Sequence, residues 1–136
     1  MVDILLDTNF LIHLVSKPTL GFQSVNEALG KINLIILKDV IKELNKLVNH
    51  SSIKKVKAAK LALIYSETLK IIDWKCKGTV DYKLLNYALK NNSFIATMDK
   101  KLIEKLISAG IGVITFKDDL ITVRRNPLKR QVDWNP

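Results

Sequence analysis

Only one cysteine, Cys76, occurs in the 136 residues, so the chain can form no internal disulfide and cannot build a zinc knuckle from cysteines. This points to a reducing, cytoplasmic setting and excludes Cys-rich zinc folds. Long apolar runs are also missing: none approaches the roughly 20 residues that cross a bilayer. The start, Met1-Val2-Asp3, has neither the basic opening nor the apolar core of an export signal. A soluble protein with no membrane partner is expected. Acid is scarce, with 13 Asp plus Glu against 22 Lys plus Arg, a formal net charge of +9. That balance favours a polyanionic partner, although Lys-rich composition also accompanies thermal adaptation. No internal repeat and no low-complexity linker interrupts the chain.

What is present suits one domain. With 48% hydrophobic residues over 136 positions, a single core buries about two-thirds of the unfolded surface. Short β-rich apolar runs alternate with stretches of helical period, the pattern of a parallel sheet covered by helices. Strands are expected at Asp3–Leu6, Leu34–Leu37, Lys70–Asp73, Phe94–Thr97, Val113–Phe116 and Leu120–Val123. Helices are expected after Asp7-Thr8-Asn9 up to Lys17-Pro18, over Ser24–Leu29 with Gly30 as C-cap, and from an Asp39 cap to a break at Asn49-His50-Ser51-Ser52. Three more are expected over Ile53–Leu69, over Val80–Lys90 and from Asp99 to Gly110. The predicted fold is α/β, a three-layer α-β-α arrangement around a mainly parallel sheet.

In such sheets ligands bind beyond the carboxyl ends of the strands. Asp7 directly follows the first strand and Asp99 sits just past the fourth, which ends at Thr97, although either serves equally as a helix N-cap. Asp81 lies about 60° from Leu84 on a helical wheel, within the arc of Leu84, Leu85, Ala88 and Leu89. It therefore heads an apolar stripe, where an ionised carboxylate needs a cation, a hydrogen-bonding shell or a proton. Glu43 borders the apolar stripe of its own helix. Four acids at strand ends or early in helices can assemble one cluster, unstable when empty because like charges raise each other's pKa values. Oxygen-only ligands suit Mg²⁺ or Mn²⁺. No other metal constellation competes, since His13 and His50 lack partners at ligand spacing and Cys76 stands alone.

These segments resemble a known family. Leu5-Leu6-Asp7-Thr8-Asn9-Phe10-Leu11, Asp39-Val40-Ile41-Lys42-Glu43-Leu44, the helix start at Asp81, and Phe94-Ile95-Ala96-Thr97-Met98-Asp99-Lys100-Lys101-Leu102 resemble the motifs of PIN-domain ribonucleases in order and spacing. The resemblance implies a PIN-like nuclease domain over residues 1–123, followed by a basic tail, 124–136. Gly78-Thr79 before Asp81 and the closing Gly110-Ile111-Gly112-Val113-Ile114 are most similar to the archaeal and eukaryotic small-subunit rRNA-processing group. Toxin nucleases of toxin–antitoxin pairs share the same core. By resemblance, Asp7, Glu43, Asp81 and Asp99 form the acidic catalytic and metal site, supported by Asn9 and Thr97. Tyr82 departs from a frequent second acid of the rRNA-processing group and Met98 from a frequent Asn.

The expected activity is endonucleolytic hydrolysis of RNA assisted by Mg²⁺ or Mn²⁺. Lys42, Lys46, Lys54, Lys55, Lys57 and Lys60, with Arg124, Arg125, Lys129 and Arg130, are candidate contacts to RNA phosphates. Tyr82 and Trp134 suit packing more than base stacking. The resemblance leaves open a homodimer and a ribosome-assembly or antitoxin partner. A catalytically silent RNA-binding module is the main rival, and four acids in one place argue against it because phosphate binding alone disfavours negative charge. A phosphoacceptor domain expects adjacent acids after its first strand, and a sugar-phosphatase fold a second Asp where Asn9 stands.

Overall fold

Leu34-Ile35-Ile36-Leu37 has no polar alternation, the mark of a strand covered on both faces. It forms the carboxyl half of β2 (Ile32–Leu37), with Ile35, Ile36 and Leu37 all buried. The computed structural model describes residues 1–17 and 21–125. Around β2 lie β1 (Val2–Leu6), β3 (Lys70–Ile72), β4 (Phe94–Ala96), β5 (Val113–Lys117) and β6 (Leu120–Arg124). The strand order is β3-β2-β1-β4-β5-β6, parallel throughout except for the antiparallel edge pair β5 and β6. The helices are α1 (Thr8–Ser16), α2 (Gln23–Leu29), α3 (Lys38–His50), α4 (Ile53–Ser66), α5 (Val80–Asn91) and α6 (Lys100–Ser108). This is the three-layer α/β fold expected from the alternation. Among the described residues no helix is long and apolar enough to cross a membrane.

The core runs through Ile4, Leu5 and Leu6 of β1, Phe10 and Leu11 of α1, Val40 and Leu44 of α3, Leu84 of α5, Ile95 of β4 and Leu106 of α6. α1, α3 and α4 pack together, whereas α5 and α6 pack on β4 and β5. Ala59 and Ala62 on the buried side of α4 let the three helices approach closely.

Three expectations are corrected. Asn49 and His50 stay helical, because the Asn49 amide donates back to the Asn45 carbonyl; the break falls at Ser51-Ser52. The helix expected to reach Leu69 stops at Ser66, where the Ser66 and Thr68 hydroxyls take the carbonyls of Leu63 and Tyr65 and the last turn tightens. Asp39 is not the cap of α3, which starts at Lys38 without a side-chain cap; its carboxylate pairs instead with Lys83.

The chain winds outward from β1 through β2 to β3, then crosses to β4 on the other side of β1. The order therefore reverses between β1 and β4, and a crevice opens beyond their carboxyl ends. Register there is continued past the strands themselves: the Asp7 amide donates to the Ala96 carbonyl at 2.9 Å and the Thr97 amide to Ile114 at 3.0 Å. Both residues are thus fixed at the crevice by main-chain bonds.

Candidate active site

Asp7 is the first residue past β1, extended at φ −81 and ψ 156, and caps α1. Its Oδ1 accepts from the Thr8 amide and its Oδ2 from the Thr97 hydroxyl, each at 2.8 Å. The residue is only 6% exposed. Burial pushes its carboxyl up to about 6; the hydrogen bonds from Thr97 and Thr8 oppose that rise, and the charges of Asp81 and Glu43 add to it.

Glu43 projects from α3, and its Oε1 accepts from the Thr8 hydroxyl at 2.6 Å. Thr8 therefore serves two acids, Asp7 through its amide and Glu43 through its hydroxyl. Sequence reading treats Thr8 as turn material; its one local signal is a hydroxyl directly after the first carboxylate. Asp99 caps α6, accepting from the amides of Lys101 and Leu102 at 3.0 and 3.3 Å. Its own amide donates to the Thr97 hydroxyl at 3.2 Å. For Asp7 and Asp99, capping and placement at the crevice are one geometry.

Asp81 lies in the first turn of α5, whose cap, Thr79, accepts from the Tyr82 amide. It is an exposed residue at the crevice mouth rather than the head of a buried stripe. The reason is that the buried face of α5 runs through Leu84, Tyr87 and Ala88, while Leu89 is 56% exposed. Partial desolvation nevertheless raises the Asp81 carboxyl; the charge of Asp99 adds to that and Lys105 opposes it. Tyr82, expected to pack, is half exposed, with its ring edge seated on Gly78.

All four acids line one cavity of about 350 Å³, together with Thr8, Asn9, Lys46 and Leu47. Thr97 lies fully buried behind the wall and acts through Asp7 and Asp99. Lys46 is the one basic residue among the described ones that reaches the cavity. Lys42 on α3 and Lys54, Lys55, Lys57 and Lys60 on α4 are exposed. Arg124 pairs in register with Val113, at the start of β5, so it and Arg125 sit at the opposite end of the sheet from the carboxylates. Lys129, Arg130 and Trp134 lie outside the described residues.

The ligating groups on the cavity wall are carboxylate, hydroxyl and amide oxygens, with no His or Cys among them, which suits a hard cation rather than zinc. Among the described residues no three His, Cys, Asp or Glu side chains are gathered tightly enough to ligate one ion between them. Mg²⁺ and Mn²⁺ keep several waters and use one or two carboxylates directly, so neither requires three acids at one point. Burial and the repulsion of neighbouring acids, which together raise Asp7 and Asp81, give such an ion an electrostatic reason to bind.

Residues 4–119 match a family described as a PIN like domain. The chain is 37% identical over 122 residues to ribonuclease VapC4 of Methanocaldococcus jannaschii, covering 86% of this chain and 92% of that protein. Among solved structures it is similar to the PIN domain endonuclease Utp24, with a TM-score of 0.69 and 26% identity over 90% of this chain and 91% of the other. It is also similar in fold to VapBC2 from Rickettsia felis bound to a DNA fragment from their promoter (TM-score 0.63, 18% identity, covering 85% of this chain and 100% of the other).

Proposed function

The chain belongs to the PIN-domain ribonucleases, and on that premise we propose a divalent-metal-dependent endoribonuclease that cleaves structured RNA in rRNA processing or ribosome maturation. Asp7, Glu43, Asp81 and Asp99 are its catalytic and metal-holding residues. The observation that carries this reading is the convergence of these four acids, from four different segments, on one cavity where the strand order reverses.

Hydrolysis joins a water oxygen to phosphorus and breaks the bond to the 3′ oxygen, which leaves as a hydroxyl. Mg²⁺ or Mn²⁺, when bound, neutralises the phosphate and lowers the pKa of water. The chain supplies the geometry. Asp7 cannot rotate, because each carboxylate oxygen is held by a separate donor. Glu43 is aimed by the Thr8 hydroxyl. Asn9 stands on the cavity wall as a neutral donor and acceptor. Lys46, on the same wall, offers a positive charge to a phosphate oxygen. The exposed lysines of α4 extend that contact along the RNA, and the half-exposed Tyr82 beside Asp81 presents a ring to an unpaired base.

A labelled structured RNA incubated with wild type and with Asp81→Asn, each with Mn²⁺ and with a chelator, tests this. Cleavage by wild type with metal alone is expected. RNA binding with steep salt dependence but no cutting by either protein would favour the silent binding module. A second reading, a toxin-type ribonuclease controlled by an antitoxin partner, is favoured by Tyr82 and Met98, the two departures from the rRNA-processing pattern. Growth arrest on expression, abolished by Asp7→Asn, would select it.

A further inference from the structure

The acids reach the cavity from independent elements, and two of them, Glu43 and Asp81, stand on helices whose chief packing partners differ. α3 packs on α4, β2 and α1, whereas α5 packs on β4. Among the described residues one ion pair joins these helices: Lys83 Nζ donates to Asp39 Oδ2 at 2.6 Å. Asp39 lies one helical turn before Glu43, and Lys83 lies two residues after Asp81. The side chains are 18% and 17% exposed, so the contact is largely withdrawn from water.

Stability alone is a poor account of such a pair, because desolvating two charges offsets most of their attraction and apolar residues fill the same space as well. Nor does helix electrostatics explain Lys83, since a cation in the opening turn of α5 opposes the helix dipole. What the pair does supply is direction. A short bond between fixed partners sets how far the start of α5 stands from α3, and with it the distance from Asp81 to Glu43.

We propose that the Asp39–Lys83 ion pair is a positioning latch that holds Glu43 and Asp81 at the spacing a divalent cation requires. The proposal rests on the metal-dependent reading above, and charge and geometry give it opposite signs. Lys83→Met removes a positive charge close to an acidic cavity and frees Asp39, so electrostatics by itself would tighten Mn²⁺ binding. Loss of the latch weakens binding instead, by about tenfold, the usual effect of removing a residue that orients metal ligands.

The test is Mn²⁺ affinity by calorimetry for wild type and three variants, each with a melting curve. Lys83→Met is expected to bind about tenfold more weakly than wild type and to recover cleavage at saturating Mn²⁺. Asp39→Leu/Lys83→Met keeps the net charge and leaves no unpaired buried ion, so it folds even where the single variant does not; weaker Mn²⁺ binding is expected there too. The exchange Asp39→Lys/Lys83→Asp restores the pair in reverse and should recover most of the affinity. Equal or tighter binding by Lys83→Met or by the double apolar variant overturns the latch while leaving the metal site standing. If wild type binds no Mn²⁺, the metal reading itself fails and the latch with it.

Discussion

Thr97 donates its hydroxyl proton to Asp7 Oδ2 at 2.8 Å from a fully buried position, while the same oxygen accepts from the Asp99 amide. One hydroxyl therefore couples the ends of β1 and β4 and holds two acids of the cavity. In Thr97→Val the shape is kept and the donor is lost. The hydrogen bond lowers the Asp7 carboxyl against the effect of burial, so its removal moves that carboxyl above about 6. The acid limb of the pH–rate profile should shift to higher pH, with stability reduced by about 1–3 kcal/mol from the unpaired buried groups. A pH–rate profile beside a urea titration checks both. An unmoved acid limb would remove Asp7 from the groups that must ionise for activity.

The buried Asp7 also makes the site a stability liability. Folded protein holds the Asp7 proton up to about 6, against 3.8 for the free carboxyl. This contribution to stability is thus fully present below pH 3.8, and it declines as pH rises to about 6. The interval corresponds to about 3 kcal/mol at most. Asp7→Asn keeps a good helix cap and an oxygen for the Thr8 amide, and its NH₂ can donate to the Thr97 oxygen. It should therefore abolish cleavage yet melt several degrees above wild type in chelator-containing buffer above pH 6, with the gain vanishing below pH 3.8. Mn²⁺ should raise the melting temperature of wild type only, by binding its folded state. A variant less stable than wild type at every pH would mean that Asp7 acts mainly as a structural cap.

What the sequence reveals follows the range of the interactions. Strand and helix order is legible because apolar period and turn chemistry are local, and the segments of Asp7 and Asp99 announce themselves by following strands. Partners distant in sequence leave no such trace. Asp39 looks like a cap, and only folding brings Lys83, 44 residues away, into contact with it. Thr8 and Glu43 are 35 residues apart, so the hydroxyl that aims the glutamate is likewise invisible. Asp81 shows the limit of helical phase: the wheel gives its angle but not which arc the sheet covers, and Tyr87 rather than Leu89 proves to be inside. The basic residues mislead in another way, since composition counts charges without saying that Arg124 and Lys46 lie at opposite ends of the sheet.

The lysines themselves are experimentally distinguishable, because one lines the cavity and the others do not. Lys46 reaches the cavity, whereas Lys54, Lys55 and Lys57 stand exposed on α4. Replacing the three α4 lysines by Ala should weaken RNA binding across sequences and lower the slope of log affinity against log salt by about 2 to 3, one for each phosphate no longer neutralised, with kcat little changed. Lys46→Ala should instead reduce kcat at saturating RNA, by about tenfold or more, because its charge acts where the phosphate gains charge. Filter binding across a salt series, combined with single-turnover cleavage, separates the two. Equal effects on kcat from both variants would dissolve the distinction between a lysine that acts on the reacting phosphate and lysines that track the RNA backbone.

At the opposite end of the sheet a different constraint operates. Gly112 faces Phe94 so closely that a Cβ there would lie 2.3 Å from one ring carbon and within 2.8 Å of two more. The Arg125 guanidinium covers the ring 5.1 Å from its centroid and Phe94 itself sits in β4, so swinging the ring aside forfeits that contact. The Gly112 carbonyl also accepts from the Ile95 amide at 3.1 Å, so backbone retreat would break the β4–β5 junction. Gly112→Ala should therefore cost about 1–3 kcal/mol through overpacking. Adding Phe94→Leu removes the colliding ring edge, so the double variant should be less destabilised than the two single effects combined. Urea titrations of the four proteins give the coupling directly. Because the contact lies far from the carboxylates, Mn²⁺ affinity should be unchanged in Gly112→Ala; a loss there would show that strain travels along β4 to Thr97, and strict additivity would place the cost of the alanine somewhere other than the ring.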